Sequence, residues 1–567
     1  MLGRLNLLRG SCFRSFSTQA TSASTKPKPW YTTTPIFYPN AAPHIGHLYS
    51  LVTADIFARY QRLKSPSTEV RFVTGTDEHG LKIQKAALAK QKDPRAFCDE
   101  ISQHFRRLTE VADISHTTFI RTSEERHLNA VHHIWRELDA KNLIYKGSYS
   151  GWYSITDECF YTDSQVVEVP ADATSPTPRM ISKETGSTVE HSEETNYMFR
   201  LSEFQKPLLS HYQASPDAIY PGHYRDDIIR ALESEPLEDI SISRPRSRLS
   251  WGIPVPGDSE HTVYVWMDAL ISYLTGIGYP WKNGEQNVAW PVDVQVIGKD
   301  IVRFHAIYLP AILLALGLPI QNRILAHAHW TSSQKKMSKS LGNTTDPFQA
   351  IEEFGIDSVR YYLAKVGGRF VDDVDWSHDQ LSKHDKELQS LLGNFFLRAT
   401  SAKIRNPVIK AIEQGVDPFP EGIREDLPDS LKMWEPLRMS LVALPYKVME
   451  NLDNLRVAEA LENIVETLRL ANKGLTEAAP WSKDAGVMEI TYSYGLSLLT
   501  LKTVGMLLQP FTPGVAGRLL DALMIEKGKR WVNGWDDEVL GDALPDEVLY
   551  MDPVRLFDAK PKAKLSV

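Results

Sequence analysis

Residues 30–80 read WYTTTPIFYPNAAPHIGHLYSLVTADIFARYQRLKSPSTEVRFVTGTDEHG, and this stretch decides the fold class. A β-rich start leads to Pro43, which suits the first turn of a helix. Apolar residues then recur at nearly helical spacing from Leu48 to Leu63, and a second β-rich run at 70–74 precedes a polar loop. Strand, helix and strand in this order predict a βαβ unit of a parallel sheet, with its ligand at the carboxyl ends of the strands.

Two polar motifs have residue types suited to phosphate groups. The first is HIGH at 44–47, at the start of the predicted helix, where histidines can donate to phosphate oxygens and a glycine lets a flat base approach. The second is KMSKS at 336–340, whose lysines can clamp a triphosphate and then release it. Taken singly, two histidines three residues apart could also be half of a metal site or a helix cap, and a Lys/Ser loop could be a solvated turn.

The α/β pattern is interrupted and later resumes. Turn-rich sequence of mixed charge predicts an insertion into the sheet, and long amphipathic segments near the end, such as 445–472, predict a helix bundle. The predicted division is a leader (1–29), an α/β domain in two halves (30–145 and 245–330), the insertion (146–244), a connector with the KMSKS loop (331–385), a helix bundle (386–545) and a tail (546–567).

Bulk composition is that of a soluble protein with several domains. The chain has 567 residues, of which 42% are hydrophobic and 24% charged. The apolar run from Ile307 to Leu318 is interrupted by Pro310 and is too short to cross a bilayer, so we expect no membrane segment. The three cysteines are widely spaced and predict neither a disulfide framework nor a zinc knuckle.

The N-terminal leader differs in composition from the rest of the chain. Residues 1–29 contain five Lys or Arg residues, many Ser and Thr residues, and no Asp or Glu. This is the pattern of a mitochondrial transit peptide, and a disordered basic tail is the alternative. Its removal changes the formal net charge from −8 to about −13, so RNA would have to be held by local basic patches.

Seven segments carry a family resemblance. They lie at 35–40, 44–47, 75–80, 251–256, 265–269, 298–302 and 336–342. Together, and in this order, they resemble the methionyl-tRNA synthetases of class I, over most of the chain between Trp30 and Trp481. The resemblance implies a Rossmann-type α/β catalytic domain with an inserted connective domain, followed by an all-α helix-bundle anticodon-binding domain. With the leader, it implies the mitochondrial form, located in the matrix.

The resemblance also implies an enzyme with two half-reactions. Methionine and ATP would form methionyl-adenylate and pyrophosphate, and methionine would then pass to the 3′ end of tRNA(Met). In that family, the histidines matching His44 and His47 contact the ATP phosphates, and loop lysines matching Lys336 and Lys339 balance the growing charge. The remaining implied ATP-binding residues are Gly46, Gly298 and, at the ribose, Asp300. We expect Mg²⁺ to accompany ATP because it neutralises phosphate charge, and no metal ligand is evident in the chain.

The implied methionine pocket selects the substrate. Aromatic rings beside a thioether contribute on the order of 0.3–1.5 kcal/mol per contact, and a carboxylate can pair with the substrate ammonium. An apolar pocket separates near-isosteres by only ~1–3 kcal/mol, so polar tips have to contribute to selection. Ordinary core packing is the alternative role for its aromatic members. The implied residues are Ile36, Tyr38, Asp77, Trp266, Ala269, Leu270, Tyr273, Ile301 and His305.

Many relatives carry cysteine ligands for zinc in the insertion. Here Ser154 and Asp157 stand where a Cys-x-x-Cys pair might be expected, which leaves Cys159 alone. Structural zinc normally takes four Cys or His ligands. We therefore expect no structural zinc.

Three residues of the predicted bundle are implied to read the CAU anticodon. Asn394 and Arg398 lie four apart in a predicted helix, and Trp481 follows at a helix junction. Single-stranded bases are recognised by stacking and by hydrogen bonds to their edges, and these side chains supply both. An ordinary polar helix face is the alternative for Asn394 and Arg398. The resemblance fades beyond Trp481 without an appended dimerisation domain, so we expect a monomer.

Two other functions stay open. Class I synthetases for leucine, isoleucine or valine would be expected to carry a larger editing insertion, and a cysteine enzyme should show zinc ligands. A catalytically inactive synthetase-like RNA-binding or splicing factor is the second alternative. The intact histidine pair and the signature lysines argue against it.

Overall fold

The first elements of the chain alternate strand and helix. The helix Ile45–Lys64 (α1) begins with reciprocal capping, because the His44 side chain accepts from the Gly46 N–H and the His47 side chain accepts from the His44 N–H. The computed structural model describes residues 28–155, 159–161, 163–170, 178–183, 185–281, 289–332, 334–337, 344–416, 427–531, 548 and 554–557. The first elements are β1 (Trp30–Thr33), α1 (Ile45–Lys64), β2 (Val70–Thr76), α2 (Leu81–Ala89), α3 (Pro94–Val111), β3 (Thr118–Arg121) and α4 (Glu125–Ala140).

Antiparallel strands dominate the region predicted as an insertion. Its elements are β4 (Ile144–Ser154), β5 (Cys159–Tyr161), β6 (Val166–Val169), β7 (Arg179–Ser182), β8 (Glu190–Phe199), α5 (Gln205–Ala214), β9 (Ile219–Tyr220), α6 (Gly222–Ser234), β10 (Ile240–Ser241) and β11 (Ser243–Pro245). Strands β10, β8, β4 and β5 form one sheet in that order. Strand β9 differs from the predicted division, because it lies within 146–244 yet joins the central sheet. Two residues are too few to show a period, so the sequence pattern does not reveal it.

A six-stranded parallel sheet forms the centre of the α/β part. The chain returns through β12 (Pro254–Val255), β13 (Asp258–Val263), α7 (Val265–Thr275), β14 (Val294–Gly298), α8 (Leu309–Leu316), β15 (Ile324–His327), β16 (Trp330–Ser332) and β17 (Lys335–Lys336). The sheet order is β3-β2-β1-β14-β15-β9, with every pairing parallel. This confirms the predicted Rossmann-type fold class. The strand order reverses between β1 and β14, which is where open α/β sheets bind their ligands.

Helices make up most of the remaining chain. The long segment predicted over 445–472 is two helices, because the chain turns at Leu455, whose φ is 61°. A π-helical turn, Gln389–Asn394, joins α11 to α12. The elements are α9 (Pro347–Phe354), α10 (Ile356–Gly367), β18 (Val374–Asp375), α11 (His378–Leu388), α12 (Phe395–Ala399), α13 (Ala402–Glu413), α14 (Glu435–Asp453), α15 (Val457–Ala478), α16 (Val487–Leu508) and α17 (Pro513–Ala522).

Apolar layers cover both faces of the central sheet. Helices α1 and α3 share one continuous core with the C-terminal helices, whereas α4, α7 and α8 pack on the opposite face. In the part of the chain that the structure describes, no helix combines the length and apolar character needed to cross a membrane.

The folded chain begins upstream of the predicted leader boundary. Lys28 Nζ lies 2.6 Å from Asp293 Oδ2, and the same oxygen accepts from the Tyr31 N–H at 2.8 Å. Lys28 therefore helps to anchor the start of β1, although it was counted with the leader by composition. Residues 1–27, including the rest of the predicted leader, lie outside the described part of the chain.

One buried arginine joins the C-terminal helices to the α/β part. Arg360 of α10 is 0% exposed, and its Nη1 lies 2.7 Å from Oδ2 of Asp55 on α1. Its Nε and Nη2 donate to the carbonyl oxygens of Phe511 and Pro510, each at 2.9 Å, between α16 and α17. A single side chain thus ties α1, α10 and the end of α16 together.

The partner of this arginine is equally well bonded. Asp55 Oδ2 accepts from Arg59 Nε at 2.7 Å, and Oδ1 accepts from the Ser115 N–H at 2.7 Å and hydroxyl at 2.6 Å. Burial acts to raise the pKa of the Asp55 carboxyl, but Arg360 and Arg59 lower it below its ordinary value. The carboxylate is therefore ionised and compensated, as a buried charge requires.

The substitution Asp55→Asn should destabilise the protein by about 3–5 kcal/mol, because it leaves the Arg360 cation buried without its matching charge. The midpoint of urea unfolding, followed by circular dichroism, measures the change. Asp429→Asn is the control, since it removes an ion pair with Lys432 at the surface and should shift the midpoint little. Equal shifts for the two variants would contradict the structural role of Asp55.

Candidate active site

The two signature histidines have defined tautomers. Nδ1 of His44 accepts from the Gly46 N–H at 3.1 Å, and Nδ1 of His47 accepts from the His44 N–H at 3.0 Å. In a neutral imidazole with an accepting Nδ1, the proton resides on Nε2. Both rings are therefore arranged as Nε2–H donors, 3.9 Å apart between centroids, at the positive end of α1. Both Nδ1 atoms cap the helix, as the helix-cap alternative expects. Capping through Nδ1 still allows each Nε2–H to donate to an anion.

Close packing surrounds this pair. The His47 ring meets the rings of Phe37 and Phe105 edge-on, at centroid distances of 5.1 and 5.2 Å. A Cβ on residue 46 would lie 3.0 Å from Cε1 of His44, so glycine there leaves room for the capping imidazole. The structure thus adds a reason for Gly46 beyond the approach of a nucleotide base.

The lysine loop is described only at its two ends. Residues 338–343, with Lys339, lie outside the described part, as does the side chain of Lys336. On one side, β17 pairs with β16, and Met337 is buried in the core shared with α1. On the other side, the Thr345 carbonyl accepts from the Ile45 N–H at 3.1 Å. The C-terminal end of the loop is therefore bonded to the first turn of α1, and the N-terminal end is held by strand pairing and by burial of Met337.

Two adjacent strand ends supply further polar groups. A Cβ on Gly298 would lie 2.6 Å from Asp300 Oδ1, so a side chain at 298 would displace this carboxylate. Asp300 Oδ1 lies 3.5 Å from Nε2 of His329, which follows β15. At the end of β15, Nε2 of His327 accepts from the hydroxyl of Ser50 on α1, at 2.7 Å, while its Nδ1–H donates to the Ala328 carbonyl.

Sequence reasoning did not single out His327 and His329. The sequence does contain a signal, because both histidines belong to the string HAH at 327–329, which directly follows the short apolar run at 324–326. Parallel strands place such residues at the ligand edge of the sheet.

The loop after β2 holds Asp77 in place. Asp77 is 2% exposed, and its N–H donates to the Phe37 carbonyl at 2.9 Å. The next residue, Glu78, is buried and accepts from Arg121 Nε at 2.7 Å and from the Thr76 hydroxyl at 2.7 Å. The carboxylate of Asp77 is therefore carried by an ordered loop, which lowers the entropic cost of pairing with a cation.

Helix α7 and the turn before α8 form an aromatic wall. Trp266 stacks on Phe304 with centroids 3.6 Å apart and an interplanar angle of 18°. Leu270 lines the same small apolar cavity as these two rings, and Ala269 is buried on the same helix. Phe304 was missed by the sequence analysis, although it directly precedes the predicted residue His305.

A polar pair closes this wall. The Nδ1–H of His305 donates to the Ile301 carbonyl at 2.9 Å, so Nε2 accepts from the Tyr273 hydroxyl at 2.7 Å. Burial lowers the pKa of His305 to about 4, so the ring is neutral at pH 7. Burial and, after it, the charge of Asp77 raise the pKa of Tyr273 well above its ordinary value. The phenol is therefore protonated and lies near Asp77.

A series of contacts leads from the signature pair to the Asp77 loop. His47 touches Phe37, whose carbonyl accepts from the Asp77 N–H. Tyr273 bonds to His305, and the charge of Asp77 acts to raise the pKa of Tyr273. Two predicted pocket residues lie to either side of this series. Ile36 packs against the core of α4, α7 and α8, and Tyr38 packs beside α2, with Lys82 Nζ 5.2 Å from its ring centroid.

The three predicted anticodon residues line one open cavity in the helical region. Asn394, Arg398 and Trp481 surround a volume of about 600 Å³. The Arg398 guanidinium lies 5.3 Å from the Trp481 ring centroid, and its Nη2 donates to the Thr476 hydroxyl at 2.8 Å. Trp481 is 40% exposed, so its ring is accessible to a base.

The prediction about zinc is not tested. Asp157 and the side chain of Cys159 lie outside the described residues. Within the described part, no group of three or more His, Cys, Asp or Glu residues could hold a metal ion.

Comparisons with known proteins agree on one family. The family model for tRNA synthetases class I (M) matches residues 30–400. The probable mitochondrial methionine–tRNA ligase of Neurospora crassa is 42% identical over 533 residues, which is 91% of this chain and 82% of that protein. The human mitochondrial methionine–tRNA ligase is 41% identical, over 88% of this chain and 84% of that protein. A crystal structure of Mycobacterium tuberculosis methionyl-tRNA synthetase bound by methionyl-adenylate superposes with a TM-score of 0.80 at 35% identity, covering 91% and 97% of the two chains.

Acidification should destabilise the site through its neutral histidines. Burial lowers the pKa of both His305 and His327 to about 4, from an ordinary 6.5. The unfolded chain binds more protons between these values, so stability is full above pH 6.5 and falls as the pH approaches 4. Each histidine should lower the free energy of unfolding by about 2 kcal/mol between pH 7 and pH 5. Urea unfolding at pH 7 and at pH 5 measures the difference in the free energy of unfolding. The substitution His305→Gln should reduce this difference by the contribution of one histidine. An unchanged difference in that variant would contradict the neutral state of His305.

Proposed function

This chain belongs to the class I tRNA synthetases of the methionine type, and on that premise we propose that it joins methionine to tRNA(Met) in mitochondria. The carboxylate of methionine attacks the α-phosphorus of ATP, giving methionyl-adenylate and pyrophosphate. The 3′-terminal ribose of the tRNA then attacks the methionyl carbonyl and releases AMP. The observation that carries this proposal is the direct link from the signature pair to the Asp77 loop, in which the His47 ring meets Phe37 and the Phe37 carbonyl accepts from the Asp77 N–H.

Methionine occupies the region between Asp77 and α7. The Asp77 carboxylate pairs with the substrate ammonium, which orients every amino acid alike. The side-chain wall consists of Trp266, Ala269 and Leu270, where stacked rings offer a polarizable surface to sulfur. Tyr273 and His305 present fixed polar groups beside this wall, and a bound side chain has to match them. Ile36, Tyr38 and Ile301 complete the pocket.

ATP binds across the ends of β14 and β15 and the start of α1. Nε2–H donors of His44 and His47 stabilise the phosphate oxygens as pyrophosphate leaves, with little reorganisation because their Nδ1 atoms are already bonded. Gly46 and Gly298 allow close approach, and Asp300 accepts from the ribose. The triphosphate arrives as its magnesium complex.

Two lysines complete the cradle for the phosphates. Lys336 and Lys339 balance the charge that develops as the bond to pyrophosphate breaks. Support comes from the C-terminal end of their loop, where the Thr345 carbonyl accepts from the N–H of Ile45, the second residue of the HIGH motif, at 3.1 Å.

The enzyme acts as a monomer in the mitochondrial matrix. Its basic N-terminal leader directs import, as the composition predicts. Relatives named as mitochondrial methionine–tRNA ligases support the organelle. We do not expect zinc in the connective insertion, because Ser154 and Asp157 replace the cysteines that would bind it.

Methionine-dependent exchange of labelled pyrophosphate into ATP tests the first half-reaction. We expect exchange with methionine, weak exchange with homocysteine and background exchange with leucine. Leucine as the preferred substrate would point to another class I synthetase. A folded protein without any exchange would favour the inactive RNA-binding scaffold.

The anticodon assignment predicts a separation of the two half-reactions. Trp481→Ala should lower kcat/KM for tRNA roughly tenfold to a hundredfold, since stacking on a base contributes about 1–3 kcal/mol. Pyrophosphate exchange should be largely kept, because the cavity that holds this ring is lined by residues of the helical region and by none of the proposed reaction site. Trp531→Ala is the matched control, as Trp531 is also 40% exposed but does not line the cavity. Parallel losses of exchange and aminoacylation in Trp481→Ala would reject the anticodon role.

A further inference from the structure

A buried carboxylate bridges two histidines behind the methionine pocket. Asp268 lies on α7 and is 0% exposed. Its Oδ2 lies 2.6 Å from Nδ1 of His79, and its Oδ1 lies 2.6 Å from Nε2 of His127. The other ring nitrogen of His127 lies 2.9 Å from the hydroxyl of Thr275, the last residue of α7. These contacts link three elements, namely the loop after β2, α7 and α4.

The charges in this network favour one arrangement. Burial acts to raise the pKa of Asp268, but the two imidazoles lower it to about 2. The group is thus a carboxylate at neutral pH, and a carboxylate only accepts hydrogen bonds. His79 therefore donates through Nδ1, and His127 donates through Nε2. Charge-assisted bonds of this kind are short and directional, so they hold distances well.

The position of the network gives it a consequence for the substrate. His79 follows Asp77 by two residues in the loop, and Asp268 lies between Trp266 and Tyr273 in α7. The loop carries the proposed ammonium partner, and the helix carries the proposed wall for the thioether. The His79–Asp268 bond is a direct side-chain tie between these two halves of the pocket.

We propose that His79 is a positioning residue which, through Asp268, fixes the spacing between Asp77 and α7 and so selects the chain length of the amino acid. This inference rests on the proposed function. His127 supports Asp268 from behind, and neither histidine touches the reacting atoms. Loss of the tie would let the loop and helix separate, which weakens methionine binding and admits a longer side chain.

Steady-state pyrophosphate exchange distinguishes this role from a general structural one. His79→Leu removes the donor and should raise KM for methionine several-fold, because the loop and α7 are then no longer held at the spacing that methionine fits. KM for ATP should stay near its wild-type value. The ratio of kcat/KM for ethionine, which is one methylene longer, to that for methionine should rise several-fold, in line with the small energy of a methylene.

A conservative variant should restore the tie. The amide nitrogen of asparagine lies close to the position of Nδ1, so His79→Asn should keep KM for methionine and the ethionine ratio near wild type. Glutamine places its amide farther from the backbone, so His79→Gln should behave like His79→Leu. If His79→Leu fails to fold, His79→Gln is used in its place. His133→Leu is the control on α4, since it removes a pair with Glu137 at 2.9 Å and a ring contact with Tyr279, neither of which involves Asp268 or the loop after β2.

Two results would overturn the proposal. One is the same methionine KM and ethionine ratio in wild type and in the Leu or Gln variant. The other is a rise in KM for methionine and ATP alike, together with a lower unfolding temperature. A wild-type protein without methionine-dependent exchange would instead refute the proposed function, so the two failures are distinguishable.

Discussion

The contact between Arg360 and Asp55 is the constraint on which the arrangement of the molecule depends. Asp55 belongs to the helix that begins at the signature histidines, and Arg360 also bonds to the turn after α16. Desolvation of two charges is unfavourable, so the pair adds little net stability, but loss of either partner leaves a buried charge without compensation. Together with the apolar core that α1 shares with the C-terminal helices, this contact holds the helical region against α1.

Inside the site, the direction of the hydrogen bonds fixes the tautomers of the histidines. Carbonyl and backbone N–H partners at Nδ1 decide the tautomers of His44, His47 and His305, and these in turn decide what each Nε2 offers. The signature pair becomes two donors suited to an anion, whereas His305 becomes an acceptor for a phenol. The same residue type thus serves opposite roles, and the difference originates in backbone geometry rather than in residue identity.

Much of this could be predicted from the sequence, and the remainder has physical reasons. The βαβ start is predictable because its helix and strands are long enough for their periods to be recognised. Strand β9 is too short for that, and the π-helical turns that contain His305 and Asn394 share the pattern of an ordinary helix. Phe304 and the network of Asp268 were missed because stacking and bonding between distant segments depend on tertiary structure, which no local pattern records.

The proposed anticodon role of the cavity at Trp481 explains how an acidic chain can bind RNA. A formal net charge of −8 provides no general attraction for phosphate, so recognition has to come from local contacts. Arg398 is held between the Trp481 ring and the Thr476 hydroxyl, and this leaves less side-chain entropy to lose on binding. An incoming base competes with the guanidinium for the indole face, and the displaced cation then lies next to the nucleotide. On the proposed role, the free protein supplies the aromatic face on which a single-stranded base stacks, and the cation that the base displaces stays close beside it.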